Sequence, residues 1–515
     1  MSGPTTDPVL VDRLRGDLLA ARFGDEALAA LWGTDAAAAL RRGQRVPALR
    51  ALRAAHPLST LARFLVLGLA VQRHELDAAL PSLGVDGAFA LGLASVEADL
   101  ALPRFELRQH SFVDSHGVGA WWILSDLGET ATGGPLREDH VLGVGGASST
   151  LSALMIQHPV DTALDLGTGC GIQALHASRH ARRVVATDIS PRALHLAGLN
   201  AALNGVTNIE FRLGSLFEPV AGERFDHIVS NPPFVITPRT DGVPAYEYRD
   251  GGMVGDELVE TVIRGAAGHL TVGGVAQLLG NWEYRADTDA FDRIAGWLDA
   301  PRGGEPLDAW IVEREVQDAA LYAETWIRDG GTTPGREFDD LLGAWLDDFA
   351  TRDVRSVGFG YVTLRRPASA PASGSASAPA LRRLERLSGA LGHNPTGLGA
   401  HLADCLTAHD WHSALTSDGL GRARLVVAGD VTEERHYWPG AEDPTVMTLR
   451  QGGGFGRSVS LGTALAAFVG ACDGDLSVAA IVAALAELLD ADERPLRAEL
   501  DPRIRELVAT GFLAP

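Results

Sequence analysis

The sequence predicts an α/β protein with a mainly parallel sheet and crossover helices, flanked by two smaller helix-rich modules. Three observations predict this architecture. Apolar β-type runs alternate with helical stretches between residues 140 and 365. Helical patterns dominate residues 1–110, followed by short alternating stretches typical of strands. A segment of proline, alanine, serine and glycine at 366–380 then sets off a third, helix-rich part.

The first part, residues 1–110, is predicted to be a helical or winged-helix-like domain. Helical segments are VDRLRGDLLAARF, TLARFLVLGLAV and the shorter HELDAALPSL. Alternating stretches at Val96–Leu102 and Gly119–Leu124 are predicted strands, and helices before a small sheet are typical of winged-helix folds. Residues 41–53 carry five arginines and no acid, which predicts a helix with a basic exposed side; contact with phosphates is the alternative.

The second part, residues 111–365, carries the predicted sheet. Helices are predicted at Gln173–His180 and in PRALHLAGLNAALNG, each between two β-runs. The predicted strands are TALDLG, RVVATD, NIEFRLG, FDHIVSN, VAQLLGN, DAWIVEREV and SVGFGYVTLRR. Because ligands of open α/β sheets bind at the carboxyl ends of the strands, the loops after these strands are the candidate site.

The third part, residues 381–515, is predicted to be a winged-helix-like recognition module. It follows the segment 366–380, whose composition without core-forming residues is typical of a flexible linker. The stretches ALAAFVGAC, DLSVAAIVAALAELL and LRAELDPRIRELVATGFL predict three helices followed by an apolar tail.

The net charge of −22 on 515 residues argues against a protein that coats nucleic acid non-specifically. Its distribution weakens that argument. Residues 111–380 hold 36 acids and 20 arginines, and 18 of those acids lie within 281–353. Residues 1–110 hold 12 acids and 12 arginines. The charge therefore indicates a solvated acidic flank and does not decide the substrate.

Cysteine and histidine usage favours a cytoplasmic protein without a metal. Cys170, Cys405 and Cys472 are too widely spaced for a disulfide framework or a zinc cluster. The sixteen histidines show no ligand spacing, and we expect three of them, His176, His180 and His195, to be packing or surface residues. No signal peptide and no apolar run of about 18 residues is found, so a membrane span is not expected.

The sharpest local signal is LDLGTGCG at 164–171, which follows a β-run and opens a helix. Gly167, Gly169 and Gly171 with Thr168 allow a tight turn and close backbone approach to a ligand. A loop of this kind serves the pyrophosphate of a dinucleotide equally well. Asp165 instead favours S-adenosylmethionine, because a strand-end carboxylate attracts a methionine ammonium or a sulfonium and repels a pyrophosphate.

A second acid supports the same cofactor. Asp188 ends the next strand, 23 residues after Asp165, and can accept hydrogen bonds from both ribose hydroxyls. The alternative for both acids is an ordinary strand-end turn. Ser215 and Leu216 follow the third strand and can border an adenine ring, although an ordinary turn explains them as well.

The candidate catalytic motif is Asn231-Pro232-Pro233-Phe234, after the fourth strand. The two prolines fix the backbone and hold Asn231 rigidly at the top of the sheet. The Asn231 side-chain oxygen, which also borders the cofactor, and the Pro232 carbonyl oxygen can accept both hydrogens of a planar –NH₂ group. Phe234 can stack on the group that carries this nitrogen. Catalysis would rest on positioning for in-line displacement; a rigid proline turn with a core phenylalanine is the alternative.

Together, DLGTGCG, ATD at 186–188 and SNPPF at 230–234 resemble the class I S-adenosylmethionine-dependent methyltransferases of the "small domain" type. The resemblance covers about 140–290 and extends toward 365. It implies a seven-stranded sheet, with the glycine loop and Asp188 on the cofactor and the NPPF motif at the reacting amine. It also implies that residues 139–148 close over the cofactor, with Gly145 and Gly146 near it.

Members of this family methylate either the glutamine amide of release factors or an exocyclic base amine of RNA or DNA. Phe234 stands where the glutamine methylases usually have tyrosine, and this favours a base amine in RNA as the main prediction. Methylation of a protein glutamine remains the alternative, which the predicted C-terminal recognition module favours. A third possibility, a non-catalytic cofactor-binding scaffold, predicts that Asn231→Ala leaves function intact.

Two further groups of residues are weaker candidates for contact with the substrate. Tyr246, Tyr248, Arg249 and Asp250 follow the motif and lie in a substrate lid or, more simply, in an ordinary polar loop. The other group is the pair 282–283, Trp282 and Glu283, just past the next strand.

Overall fold

The computed structural model describes residues 7–52, 56–133, 136–240, 242–299, 307–367 and 381–515. They fall into two compact units. The first comprises Met1–Ser152 and His158–Pro367, and the second Ala153–Gln157 and Ala368–Pro515. All of the predicted linker 366–380 after Pro367 lies outside the described residues.

The first unit begins with helices and a small sheet. In chain order these elements are α1 (Pro8–Ala20), α2 (Asp25–Arg41), α3 (Val46–Ala51), α4 (Pro57–Leu61), a π-helical turn (Ala62–Val66), β1 (Val71–Gln72), α5 (Arg73–Ala79), α6 (Gly84–Ala90), β2 (Ala94–Glu97) and β3 (Leu100–Pro103). The strands form an antiparallel sheet in the order β1-β3-β2. The single strand predicted at Val96–Leu102 is wrong, because the chain turns at Ala98, whose φ is 51°.

A long antiparallel hairpin follows, formed by β4 (Phe105–Asp114) and β5 (Gly117–Asp126). The predicted strand Gly119–Leu124 lies within β5, whereas β4 was not predicted. Most side chains of β4 are partly exposed, so its sequence lacks the apolar alternation of a half-buried strand. The predicted domain boundary at residue 110 falls inside β4.

Seven strands of the first unit build its main sheet. After α7 (Glu129–Thr132) and α8 (Gly146–Leu154) come β6 (Val160–Leu166), α9 (Ile172–Ala177), β7 (Ala181–Asp188), α10 (Pro191–Leu203), β8 (Ile209–Leu213), a 3₁₀ turn (Glu218–Val220), β9 (Phe225–Ser230), α11 (Glu257–His269), β10 (Leu270–Arg285), α12 (Ala290–Asp299), β11 (Asp308–Asp318), α13 (Ala319–Asp329), α14 (Arg336–Thr351) and β12 (Val354–Arg365). Each predicted strand of this region is present.

The strand order is β11-β12-β10-β9-β6-β7-β8. The strands β10, β9, β6, β7 and β8 are parallel, and β12 runs antiparallel to both of its neighbours. This mixed sheet confirms the predicted α/β class. The order reverses at β6, whose neighbours β7 and β9 lead in opposite directions along the sheet. The loops after these three strands therefore meet at one point, where open α/β sheets bind their ligands.

One hydrophobic core joins the N-terminal elements to the first half of the main sheet. It runs from Val11 in α1 through Leu124 in β5 to Leu203 in α10. Within it, the side-chain amide of Asn204 accepts from Trp122 N at 2.9 Å and donates to Trp122 O at 2.8 Å. This bond pair imitates a neighbouring strand and covers the edge of β5.

The second unit contains β13 (Arg382–Arg386), α15 (Gly399–Ser413), α16 (Ser417–Arg422), β14 (Arg424–Val427), β15 (Val431–His436), β16 (Val446–Gln451), β17 (Ser458–Leu461), α17 (Thr463–Gly470), β18 (Asp473–Ser477), α18 (Val478–Leu488), α19 (Glu493–Ala509) and β19 (Leu513–Ala514). The three predicted helices are α17, α18 and α19. Two three-stranded sheets have the orders β18-β14-β19 and β15-β16-β17. The stretch predicted as one helix at 475–489 contains part of β18 before α18.

The described parts of the chain contain no helix with the length and hydrophobicity needed to traverse a lipid bilayer. All three cysteines are buried free thiols.

Candidate functional site

A cleft lies at the carboxyl ends of β6, β7 and β9, where the predicted site residues were expected to meet. Most of them line it: Gly167, Thr168, Gly169, Asp188, Ser215, Leu216, Asn231, Pro232 and Pro233. Asp165, Gly171 and Phe234 do not line it. The structure therefore brings together the glycine loop, the second acid and three of the four motif residues.

The glycine loop is open toward the cleft. Gly167 and Gly169 have φ of 78° and 55°, and a Cβ added to either would meet no atom within 4 Å. A ligand can therefore approach the backbone closely at both. Gly171 has a different role, because its added Cβ would lie 3.0 Å from the Ala197 Cβ on α10. It serves the close packing of α9 against α10 and donates to Thr168 O at 2.8 Å.

Asp165 is fully buried behind the loop. Its Oδ2 accepts from the Thr168 hydroxyl at 2.6 Å and from Ala174 N at 2.9 Å, whereas its Oδ1 is buried without a hydrogen-bond partner. Burial raises the pKa of Asp165 from 3.8 to about 7, and the charge of Asp188 adds to this effect. A nearby cation would favour the ionised carboxylate.

Asp188 ends β7 and holds the loop from the other side. Its Oδ2 accepts from Gly169 N and its Oδ1 from Ser190 N, both at 2.9 Å. Burial raises the pKa of Asp188, and these backbone bonds partly offset the effect. Each carboxylate oxygen retains a further lone pair for a ligand hydroxyl.

Ser215 and Leu216 border the cleft after β8. Leu216 has a φ of 46°, which is unusual for a residue other than glycine. Two residues earlier, Gly214 has a φ of 154°, and a Cβ added there would lie 2.5 Å from the Pro219 ring. This compact turn presents the two side chains at the edge of the cleft.

The residues of the Asn231–Phe234 motif after β9 do not all face the cleft. Asn231 lines the cleft, and its Oδ1 is buried with no hydrogen-bond partner. A buried amide oxygen without a partner is costly, so a donor from a bound ligand would stabilise it. Phe234 turns away: it is only 9% exposed and contacts Phe359 of β12, with ring centroids 5.6 Å apart.

The opposite wall consists of segments before β6 and after β9. Residues 139–143 and Ser148 line the cleft, as the resemblance implies, whereas Gly145 and Gly146 do not. Two residues of the predicted lid, Tyr248 and Asp250, line it as well, together with the neighbouring Glu247. Gln173 and Met253 were missed, because no local pattern distinguishes them from ordinary helix and loop residues.

The other lid and strand-end candidates lie in buried networks. Tyr246 and Arg249 are 5% and 6% exposed, and Arg249 pairs with Asp329 at 2.9 Å. Trp282 and Glu283 are completely buried: Trp282 donates to Glu313 at 2.7 Å, and Glu283 pairs with two arginines. These four residues hold the architecture around the cleft.

The three histidines singled out in the sequence lie away from the cleft. His176 is buried against the Phe112 ring, with centroids 4.5 Å apart. His180 is hydrogen-bonded to His227 at 2.9 Å. The predicted helix Gln173–His180 ends earlier, at Ala177, so His180 lies in the turn before β7. His195 lies on α10.

The ionisable groups that line the cleft are mostly acids. They are Asp139, His140, Cys170, Asp188, Glu247, Tyr248 and Asp250. Burial lowers the pKa of His140, so its ring is neutral at physiological pH. No arginine is among the described residues of the lining. The cleft thus suits cationic or neutral ligands better than a phosphate backbone.

Two protein-family models match the first unit. The model described as "Methyltransferase small domain" matches residues 144–289, and a "Domain of unknown function (DUF7059)" matches residues 20–104. The second match assigns no activity to the N-terminal elements.

Proteins with sequence similarity include glutamine methyltransferases. A release factor glutamine methyltransferase of Xylella fastidiosa is 32% identical over 232 residues, which cover 43% of this chain and 82% of that protein. A ribosomal protein uL3 glutamine methyltransferase of Bradyrhizobium diazoefficiens is 34% identical over 197 residues, covering 36% and 59%. The YcgJ protein of Bacillus subtilis, a solved structure, is 16% identical with a TM-score of 0.27, covering 43% of this chain and 99% of that one.

These relatives overturn the preference for a base amine in RNA or DNA. That prediction is wrong, because the similar proteins are named for glutamine in release factors and in a ribosomal protein. Its physical premise also fails. Phe234 packs against Phe359 outside the cleft, so phenylalanine in place of tyrosine does not report on the group that reacts.

Proposed function

Because this chain belongs to the class I S-adenosylmethionine-dependent methyltransferases of the small-domain type, we propose that it methylates the side-chain amide nitrogen of a glutamine in a protein. The observation that carries the proposal is the buried, unpartnered Oδ1 of Asn231 beside the glycine loop. An amide –NH₂ offers the hydrogen-bond donor that this oxygen lacks.

The residues present fit S-adenosylmethionine. Gly167 and Gly169 leave room for close approach, Asp188 retains lone pairs for ribose hydroxyls, and the buried Asp165 favours a cation. Ser215 and Leu216 would border the adenine. When bound, this cofactor supplies an electrophilic methyl group on a sulfonium, which becomes a neutral thioether once the methyl is transferred.

The chain's own contribution to the reaction is to position the amide. Asn231 Oδ1 and the Pro232 carbonyl oxygen would accept the two N–H groups, which orients the nitrogen for attack. Pro232 and Pro233 fix the backbone that carries both acceptors. The nitrogen forms one bond to carbon and releases one proton to solvent. Phe234 would act through packing against Phe359, by supporting the loop that carries Asn231.

The charge of the cleft supports a protein over a nucleic acid as substrate. Its ionisable lining consists of four carboxylates with the neutral side chains of His140, Cys170 and Tyr248. Phosphates are held by arginine, lysine or backbone N–H groups. Asp139 and Asp250 already pair with Arg137 and Arg239, and the remaining carboxylates would repel a phosphate. A polypeptide with an uncharged amide enters without this penalty.

We further propose that residues 381–515 form a winged-helix-like module that recognises the protein substrate, and that 366–380 are the linker between this module and the methyltransferase domain. The sequence of elements from α17 through β18, α18 and α19 to β19, with β14 as the central strand of the sheet, supports this assignment. Chemical cross-linking of the full chain to its substrate should link residues 381–515. Links confined to the first unit would contradict the assignment.

The test of function is methyl transfer from labelled S-adenosylmethionine to purified release factor or ribosomal protein uL3 from the same organism. We expect one methyl group on a glutamine side chain with the natural chain, and a rate at least about 100-fold lower with Asn231→Ala. Label that appears on another residue type, or equally with Asn231→Ala, would refute the proposal.

A further inference from the structure

A second cavity, with a volume of about 270 Å³, adjoins the cleft. One wall is the hairpin β4–β5, and the other is the segment 140–145 with Gly128. His140, Leu142 and Gly143 line both the cavity and the cleft. The cavity therefore lies directly beside the cleft, on the other side of this segment.

The charged groups of the cavity are balanced within the protein. Glu106 is paired with Arg108, and Asp126 is paired with Arg192 and also accepts from Val141 N at 2.8 Å. Burial lowers the pKa of both His110 and His140, so these rings are neutral at physiological pH. No net charge remains to attract an ion or a phosphate.

The polar groups of the cavity are both donors and acceptors. Gln109 and Ser125 contribute an amide and a hydroxyl from the hairpin, and residues 143–145 contribute backbone. A neutral lining that both donates and accepts matches the N–H and C=O groups of a polypeptide main chain. The volume lies near the lower end of the roughly 300–1,000 Å³ of small-molecule pockets, which suits a short segment.

We propose that this cavity binds the main chain of the substrate next to the methylated glutamine. The inference rests on the function proposed above and deepens it. Through β4 and β5, the hairpin that precedes the main sheet would contribute directly to substrate binding. The hairpin would thereby distinguish an extended protein segment from an isolated amide.

Substitution of two glycines in the lining of the cavity tests the proposal. A Cβ added at Gly128 or at Gly145 meets no atom within 4 Å, and neither residue has a positive φ. Both positions line the cavity, so a leucine at either one has room for its Cβ in the native backbone and should reduce the space open to a ligand. Gly143 is unsuitable, because an added Cβ would lie 2.9 Å from the Ser125 hydroxyl oxygen.

The experiment compares Gly128→Leu and Gly145→Leu with the control Gly296→Leu, an exposed position on α12 whose added Cβ also meets no atom within 4 Å. Two substrates are used with the full chain: a peptide of about 12 residues centred on the methylated glutamine, and acetyl-glutamine N-methylamide. Affinity for S-adenosylmethionine is measured by calorimetry, which also establishes that each variant is folded.

We expect the KM for the peptide to rise about tenfold or more in both cavity variants. The kcat, the cofactor Kd and the kinetics with the minimal amide should stay unchanged, as should every value of the control. An unchanged KM for the peptide, or a parallel loss of cofactor affinity, would overturn the proposal. If the natural chain methylated neither substrate nor an intact protein, the proposed function itself would fail.

Discussion

Asn200, in the middle of α10, donates a hydrogen bond from its side-chain amide to the carbonyl oxygen of Cys170 at 2.8 Å. Cys170 belongs to the glycine loop. The same amide accepts from Leu124 N at 2.8 Å and donates to Leu124 O at 3.0 Å on β5. Asn200 is completely buried. One side chain thus joins the edge of the N-terminal hairpin to the loop that is proposed to hold the cofactor.

Replacing Asn200 by alanine should lower both stability and cofactor affinity. Three buried hydrogen bonds are lost, and backbone groups of Leu124 and Cys170 lose their partners, which costs about 2–4 kcal/mol in the free energy of unfolding. Urea denaturation and calorimetric titration measure the two effects. The matched control is Asn204→Ala, which loses the equivalent bonds to Trp122 and a bond to the backbone oxygen of Asn200, none of which involves the glycine loop. It should be destabilised with unchanged cofactor affinity, and equal affinity losses in both would contradict the link.

Asn231→Ala should reduce kcat by about 10²–10⁴-fold while the free energy of unfolding stays within about 1 kcal/mol. The native Oδ1 has no hydrogen-bond partner, so its removal costs the fold little. Asn231→Asp retains an acceptor oxygen at the same position and should keep more activity than the alanine variant. Steady-state kinetics with a protein substrate test this order. The reverse order, or full activity of the alanine variant, would indicate that the amine is held elsewhere.

Cofactor affinity should rise with pH between about 6 and 8. The folded-state pKa of Asp165 is about 7, well above its ordinary value, because burial disfavours the charged form. A bound cation favours the ionised carboxylate, so binding below pH 7 must release a proton. Calorimetry in buffers of different ionisation enthalpy measures that release. Asp165→Asn should bind more weakly and show a much smaller pH dependence; an unchanged slope would exclude Asp165 as its source.

The same pKa has a consequence for stability. Because the folded-state pKa lies above the unfolded value, the folded chain holds a proton on Asp165 that the unfolded chain has released. Its contribution to the free energy of unfolding should fall as the pH rises from about 4 to about 7 and then level off. Urea titrations of the cofactor-free protein across this range, with Asp165→Asn as reference, measure the contribution. If the natural protein instead gained stability relative to Asp165→Asn as the pH rose, the predicted sign would be wrong.

Glu283→Gln should destabilise the protein by about 2 kcal/mol, as expected for buried polar groups that lose a partner, while the KM of the folded variant for the substrate stays unchanged. Glu283 is completely buried and pairs with Arg285 at 2.8 Å and with Arg352. The substitution removes a charge partner from Arg352, which is 15% exposed and keeps its pair with Asp348. Glu324→Gln, in the exposed pair with Arg328, is the control and should cost less than about 0.5 kcal/mol. A rise in the substrate KM for Glu283→Gln that the control lacks would indicate that Glu283 contacts the substrate.

The main sheet could be predicted because its strands are short apolar runs that end in distinctive loops. In β6 and β7, residues such as Leu164 and Val185 are completely buried, and burial on both faces produces the continuous apolar runs visible in the sequence. The loops after β6, β7 and β9 carry their own glycine, acid and proline signals. Consequently seven of the residues that line the cleft could be named from these loops: Gly167, Thr168, Gly169, Asp188, Asn231, Pro232 and Pro233.

The remaining features depend on tertiary contacts that no local pattern encodes. Strand β4 is largely half-exposed, so its sequence resembles a polar loop. Phe234 faces Phe359 because β12 passes beside the motif, about 125 residues later in the chain. Asn200 resembles an ordinary helix residue until β5 is placed beside it. In each case, the environment of the residue is set by an element that is distant in sequence and adjacent in the fold.

The most direct test of the central claim is tandem mass spectrometry of the methylated protein, made with the natural chain and a substrate labelled with ¹⁵N only at glutamine side-chain amides. The account predicts that the added methyl group is found on a ¹⁵N amide nitrogen of one glutamine and accumulates at least about 100-fold more slowly with Asn231→Ala. A methyl group on any other atom, or an equal rate of methylation with Asn231→Ala, would contradict the account.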